Sequence, residues 1–110
     1  VQNDNLWQGV SGINNPCPSG YRLPTEAEFT SESGTWGSSN LAGAFGSVLR
    51  LPASGGRNGT TGALYHVGTN GSYWSSSING AGSRGPGIEA GMAYYTTPRA
   101  FGLSVRCIKN

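Results

Sequence analysis

The sequence predicts a single small domain that combines a short helix near the N-terminus with short β-strands in its second half. A chain of 110 residues seldom holds two hydrophobic cores, so one domain spanning 1–110 is expected. A helix-capping pattern begins at Thr25, and β-prone segments separated by glycine follow Leu49. Cys17 and Cys107 lie near opposite ends of the chain, where a disulfide would close almost all of it into one unit.

The composition argues against several classes of function. Gly, Ser, Asn and Thr make up 50 of the 110 residues, whereas Lys, Arg, Asp and Glu total 12. The formal net charge is +2 and the arginines are scattered, so nucleic acid is not expected as a partner. No apolar stretch approaches the roughly 20 residues of a membrane-spanning helix, so direct membrane insertion is not expected. A folded chain with a neutral, loop-rich surface is predicted.

The two cysteines bear on both stability and location. Neither Cys17 nor Cys107 belongs to a CxxC pair, and too few His and Cys lie nearby for zinc, so no metal and no cofactor are expected. A disulfide between them would close a loop of about 90 residues and add roughly 4 to 5 kcal/mol in the chain-entropy account. Two buried free thiols in a cytosolic protein are the alternative. The disulfide interpretation predicts an oxidising compartment.

The clearest local pattern is the run RLPTEAEF from Arg22 to Phe29. Thr25 can cap a helix, and Glu28, three residues later, can reach back to the backbone N–H of the cap. A helix is therefore predicted from Glu26 to about Ser33, and capping is a better account of Glu28 than acid–base catalysis. A weaker helical segment is predicted from about Leu41 to Val48, where two glycines lower the propensity.

Beyond this segment the pattern changes to short strands. The predicted strands are Leu49–Leu51, Leu64–Val67, Tyr73–Ser76, Gly91–Tyr95 and Gly102–Ile108, with Asn-Gly turns at 58–59, 70–71 and 79–80. In the last strand, alternation places Phe101, Leu103, Val105 and Cys107 on one inward face. The glycine-rich run 79–91 is interpreted as a long exposed loop.

Four stretches are together similar to a known family: NPCPSGYRLPTEAEF (15–29), LRLPA (49–53), YWSSS (73–77) and FGLSVRCI (101–108). Over nearly the whole chain they closely resemble the Fibrobacter succinogenes major paralogous domain. RLPTEAEF is also similar to the RLPTEAEW motif of formylglycine-generating, sulfatase-modifying proteins, and both families resemble the C-type lectin-like fold. The resemblance implies an α+β domain whose N- and C-terminal strands pair, flanked by one or two short helices, with a long loop-rich region for ligand contacts.

The catalytic and calcium-binding residues of the similar families are missing. Formylglycine-generating enzymes use a redox-active cysteine pair, and no cysteine remains once Cys17 and Cys107 are joined. The EPN, QPD and WND motifs of calcium-dependent lectins do not occur, and the five carboxylates are dispersed. The single histidine, His66, is not accompanied by a distinct nucleophile among the serines 75–77, and the glycines of 80–87 lack a P-loop lysine. No catalytic residue and no enzymatic activity are predicted.

The candidate ligand contacts lie mainly before the last strand. Variable proteins made by diversity-generating retroelements are similar in fold to the family named above, and they display changeable residues just before a C-terminal strand. The resemblance implies ligand contacts within 77–99, at Asn79, Ser83, Arg84, Ile88, Tyr94, Tyr95, Thr97 and Arg99. Alternation lets only one of Tyr94 and Tyr95 face outwards. Trp36, surrounded by Gly and Ser, is expected to be an exposed contact, whereas Trp74 is expected to be buried.

Three functions follow from these observations. The first is a non-catalytic, extracellular recognition or adhesion module that binds a protein or glycan through 77–99. The second is a self-assembling surface or filament subunit that binds copies of itself, since a low charge limits repulsion between copies. The third, and least supported, is an enzyme related to sulfatase-modifying proteins. The expected location is extracellular or at a bacterial, phage or virion surface.

Overall fold

The computed structural model describes residues 3–110, in which two short helices and eight strands give an α+β fold. In chain order the elements are β1 (Tyr21–Arg22), α1 (Glu26–Ser33), α2 (Leu41–Gly46), β2 (Gly56–Arg57), β3 (Leu64–Tyr65), β4 (Gly71–Ser72), β5 (Ile78–Asn79), β6 (Gly82–Ile88), β7 (Met92–Pro98) and β8 (Ile108–Lys109). Within this part of the chain, no helix has the length and apolar character needed to cross a membrane.

Helix α1 begins where the capping pattern predicts. The Thr25 side chain accepts a hydrogen bond from the Glu28 backbone N–H (3.2 Å), and the Glu28 carboxylate accepts one from the Thr25 N–H (2.8 Å). Arg22 also donates to both Glu28 oxygens at 2.6 Å, which ties the end of β1 to the first turn of the helix. The predicted second helix is confirmed as α2, which is capped by Asn40 and ends at Gly46.

The main sheet has four strands, and β6 lies at its centre. One edge of β6 pairs antiparallel with β4 and then β5, and the other pairs with β7 over the full length of both strands. The interpretation of 79–91 as a long exposed loop is therefore wrong, because Gly82–Ile88 is a largely buried strand. The predicted strand Tyr73–Ser76 is also displaced: it is the interruption between β4 and β5, with Tyr73 in an isolated bridge.

Pro86 lies in the middle of this central strand. The Pro86 carbonyl accepts a hydrogen bond from the Tyr73 N–H (3.2 Å), so the edge of Pro86 that lacks an N–H faces the interruption between β4 and β5. The proline therefore lies beside the one part of the neighbouring chain that is not a regular strand.

A separate two-stranded sheet is joined to the main sheet by isolated bridges from distant segments. Strands β2 and β3 form a hairpin, Arg57 bridges to Gly102, and Ser104 bridges to Tyr73. Residues 102–104 thus join the hairpin to the main sheet. The predicted continuous strand Gly102–Ile108 is wrong, because only Ile108 and Lys109 form a regular strand there and Val105 is exposed. The predicted strand Leu49–Leu51 is also absent, although Leu51 is buried.

The remaining features of the fold are its buried core and two links between segments near opposite ends of the chain. The buried cluster consists of Phe29, Ala44, Leu51, Tyr73 and Ile88, and Trp74 is also buried, as predicted. Near the ends of the chain, β1 pairs antiparallel with β8. The predicted disulfide is confirmed: Cys17 and Cys107 are bonded, with their Cα atoms 5.8 Å apart.

Candidate functional site

The β6–β7 hairpin divides the predicted ligand residues between two faces. Directly opposed residues of an antiparallel pair share a face, and the pairs alternate along the hairpin. Arg84, Pro86 and Ile88 therefore share the helix-facing side with their partners Thr96, Tyr94 and Met92. Ser83, Gly85 and Gly87 share the opposite side, which we call the outer face, with Thr97, Tyr95 and Ala93.

The helix-facing side is devoted to packing. Ile88 is fully buried in the core, which corrects its prediction as a ligand contact. Tyr94 packs against the same core, and its hydroxyl accepts a hydrogen bond from Thr30 Oγ1 (3.0 Å). Burial raises the pKa of Tyr94 above its ordinary value. Of the adjacent tyrosines, Tyr94 is therefore the inward one.

Arg84 also binds within the protein. Its guanidinium donates to both oxygens of Glu26, at 2.8 and 3.3 Å, and lies 5.9 Å from the centre of the Tyr94 ring. These hydrogen bonds lower the pKa of Glu26, because they favour the ionised carboxylate. Arg84 thus connects β6 to the start of α1, so its side chain has a structural role that the sequence prediction did not include.

Trp36 does not stand free in a loop. Its side chain is only partly exposed and packs against the hydrophobic core, with its indole Nε1 buried. The prediction of Trp36 as an exposed contact is therefore wrong. The flanking glycines and serines indicated a loop correctly but did not reveal that the ring turns inwards.

The outer face contributes to an open groove. Tyr95 and Thr97 of β7 line it together with Tyr65 of β3, Phe101 and Leu103. The groove has a volume of about 560 Å³. We call it the aromatic groove and define it by Asn58, Tyr65, His66, Asn70, Glu89, Tyr95, Thr97, Phe101 and Leu103.

The aromatic side chains of the groove form two groups. Tyr65 makes edge contacts with His66 and Phe101, at centroid distances of 5.3 and 6.4 Å. Tyr95 is 57% exposed, and its ring lies over Gly87 so closely that a Cβ there would be 2.7 Å from the ring. Because position 87 is glycine, the Tyr95 ring can lie directly against the sheet.

The groove is nearly uncharged. Among its lining residues within 3–110, Glu89 is the one carboxylate and there is no Lys or Arg. Amide groups of Asn58 and Asn70 also line the groove, and Asn70 Nδ2 donates to Glu89 Oε2 at 3.1 Å. The surface therefore combines the exposed Tyr95 ring and the partly buried rings of Tyr65 and Phe101 with neutral hydrogen-bonding groups.

Ser83 and Arg99 line a smaller pocket elsewhere. Its volume is about 240 Å³, and Trp7 and Trp74 also line it. Arg99 donates to Asp4 at 2.6 Å, which ties the end of β7 to the N-terminal segment. The remaining predicted residue, Asn79, is exposed and donates to Thr96 Oγ1 at 2.9 Å. The structure thus brings only Tyr95 and Thr97 of the predicted set into the aromatic groove.

Several groove residues were not predicted as contacts. Tyr65 lies well before 77–99 in sequence, and Phe101 and Leu103 lie just after it; the bridge from Arg57 to Gly102 brings them together at the groove. The one local indication was the Asn58-Gly59 turn, which marked a hairpin tip. Within 3–110 no group of three or more His, Cys, Asp or Glu residues is arranged to hold a metal ion.

The fold and groove define a small, disulfide-closed α+β domain with a nearly uncharged aromatic groove. No protein-family model matches the chain, and its comparison with curated proteins and with solved structures gives no significant match. The resemblance to the Fibrobacter succinogenes major paralogous domain stays a prediction from the sequence motifs.

Proposed function

We propose that this domain is a non-catalytic, extracellular recognition module of the C-type lectin-like class, which binds a protein or glycan in the aromatic groove. The observation that carries the proposal is the exposed Tyr95 ring, which lines one groove with Tyr65 and Phe101. Large aromatic side chains supply most of the energy in recognition sites and lose little conformational entropy on binding.

The chemistry of the groove favours a neutral glycan. An aromatic ring offers a flat apolar surface to the C–H face of a sugar. Asn58 Oδ1 and Asn70 Nδ2 already bond within the protein, so the second polar atom of each amide is the one offered to the sugar hydroxyl groups. A strongly acidic ligand would meet no Lys or Arg along the groove residues within 3–110. The ligand expected to bind best is therefore an uncharged sugar chain, recognised without calcium.

Two further observations support the proposed fold and location. The paired strands β1 and β8 and the two short helices agree with the arrangement implied by the family resemblance. The disulfide between Cys17 and Cys107 is typical of a small exported domain, which supports an extracellular site of action.

The serines of 75–77 support a non-catalytic role. Ser75 Oγ donates to the Arg84 carbonyl at 2.7 Å, and Ser77 Oγ accepts from the Glu26 N–H at 2.9 Å. These hydroxyls therefore connect β6 and α1 to the segment between β4 and β5. Both cysteines are used in the disulfide, so the thiol chemistry of a sulfatase-modifying enzyme has no free sulfur here.

The test is binding of the labelled domain to an array of neutral glycans and to candidate surface proteins. Tyr95→Ala is expected to weaken binding by about 30-fold, because removing a central aromatic contact costs about 2 kcal/mol. Tyr21→Ala is the matched control, since Tyr21 is a 40% exposed tyrosine on β1 that does not line the groove. Equal binding by the parent and both variants would refute the assignment of the groove.

A second candidate function is a self-assembling surface subunit. The specific observation in its favour is strand β7, which carries no charged side chain and lies at an edge of the main sheet. A filament would additionally need an association that does not close on itself.

A further inference from the structure

Strand β7 leaves one row of backbone hydrogen-bonding groups without a strand partner in the described chain. Arg84 donates its N–H to Ser77 and accepts from Ser75, so both its backbone groups face the β4–β5 side of β6. Antiparallel geometry then directs the odd-numbered residues of β6 towards β7, where they pair with Ala93, Tyr95 and Thr97. The N–H and C=O groups of the alternate β7 residues Met92, Tyr94 and Thr96 therefore point to the outer edge.

This edge lacks the usual protection against pairing with another strand. Native edge strands are commonly short, bulged or charged, and Lys is especially frequent. Strand β7 has the sequence MAYYTTP, which is seven residues long, rich in β-forming side chains and free of charge. Pro98 is its one residue without an N–H, and it lies at the very end of the strand. In residues 3–110, β6 is the one strand that pairs with β7.

We propose that two copies of the domain associate by pairing β7 with β7 in an antiparallel, two-fold symmetric arrangement. This inference goes beyond the proposed recognition function, because it uses the edge of β7 and not the aromatic groove. Tyr94 would lie opposite Tyr94 of the second copy, and Met92 opposite Thr96 on each side. These three pairs would exchange about six backbone hydrogen bonds, two for each pair.

The occupant is a second copy because the strand complements itself. A two-fold pair places Tyr94 directly opposite Tyr94 of the second copy, so a charged residue at this position would meet a like charge. The absence of charge on β7 removes that penalty. Tyrosine and threonine also form favourable cross-strand pairs, which suits the Tyr94–Tyr94 and Met92–Thr96 contacts. The result would be one continuous sheet across two domains.

The first test measures mass and amide exchange of the whole chain over a concentration series. Sedimentation from about 1 µM to 1 mM is expected to show a monomer–dimer equilibrium. Amide N–H groups of Met92, Tyr94 and Thr96 should exchange rapidly in the dilute monomer and slowly in the dimer. Those of Ala93, Tyr95 and Thr97 should exchange slowly in both, because they face β6.

The second test removes a single outward N–H. Thr96→Pro deletes the N–H of Thr96 in both copies, and it should raise the dimer dissociation constant by roughly 10-fold or more. Thr96→Val is the matched control, because both variants lose the Thr96 hydroxyl contacts with Asn79 and Arg84 while valine keeps the backbone N–H. Thermal unfolding of both variants establishes that the monomer remains folded.

Three results would overturn the proposal. The first is a monomer at every concentration, including the case in which an added extended peptide protects the outward amides. The second is an oligomer whose formation leaves the exchange of Met92, Tyr94 and Thr96 unchanged. The third is equal dimerisation by Thr96→Pro and Thr96→Val. If Thr96→Pro does not fold, the exchange pattern of the parent chain decides the question. Unchanged glycan binding by Tyr95→Ala would overturn the assignment of the groove and leave this proposal intact, so the two proposals fail separately.

Discussion

Removing the disulfide should destabilise the domain strongly, because the bond joins residues 90 positions apart in the sequence. The perturbation is the double variant Cys17→Ala, Cys107→Ala, which leaves no unpaired thiol. In the chain-entropy account a loop of this length contributes about 4.6 kcal/mol at 25 °C by restricting the unfolded chain. At about 2.1 cal/mol/K per residue, unfolding of 110 residues carries an entropy of about 0.23 kcal/mol/K. The expected fall in Tm is therefore about 20 °C.

The assay is thermal unfolding followed by circular dichroism, for the parent and the variant, with and without reductant. Reductant should lower the Tm of the parent towards that of the variant and leave the variant unchanged. The pairing of β1 with β8 should also weaken, and faster exchange of the amides of these strands would report it. A fall in Tm of less than about 5 °C would refute the reasoning, because the unfolded chain would then gain little freedom from loss of the bond.

Two other predictions test local features of the fold. The pKa of Glu28 is lowered from 4.5 to about 2, chiefly by hydrogen bonds from Arg22, so the carboxylate stabilises the fold above pH 4.5 and this contribution is lost as the pH falls towards 2. Glu28→Gln should lower the free energy of unfolding at pH 7 by about 1 kcal/mol, a value reduced for solvent screening. It should also make the urea midpoint fall less steeply between pH 4.5 and 2 than it does in the parent. An unchanged fall would contradict the role assigned to Glu28. Gly85→Ala should lower the free energy of unfolding, measured in urea, several times as much as Gly80→Ala does. A Cβ at position 85 would lie 1.9 Å from the Tyr73 carbonyl oxygen. At position 80 the space is open, and alanine would cost about 1 kcal/mol because of the φ of +59°. Equal costs for the two alanines would show that the chain at position 85 relaxes freely.

Local sequence patterns were sufficient for the helices but not for the sheet. The α1 capping box depends on residues three positions apart, and its geometry is fixed once the helix begins. Strand β6 has the sequence GSRGPGI, whose glycines and proline disfavour strands in isolation. Its glycines are required because neighbouring segments of the same chain, and the Tyr95 ring, approach β6 too closely for a side chain. Such tertiary contacts leave no periodic pattern in the sequence.

Only part of the candidate site, Tyr95 and Thr97, was predictable from the sequence. Alternation required that Tyr94 and Tyr95 face opposite ways, but the choice depends on the register of β7 against β6. The rest of the groove includes Tyr65 and Phe101, which are brought into contact by the long-range bridge between Arg57 and Gly102. From the sequence, Arg84 and Ile88 were predicted as surface contacts because the glycine-rich run around them resembles a loop. The run forms β6 instead, and this strand directs both side chains into contacts within the protein.

Pro86 restricts how the central strand can be aligned during folding. A shift of β6 by one residue would turn Pro86 towards β7, where its missing N–H would remove a hydrogen bond from the longest ladder of the sheet. The same shift would move Ile88 from the core to the opposite face, into contact with water. Both penalties act on a misaligned hairpin from the moment it forms, so a strand with few bulky side chains still has one strongly favoured pairing.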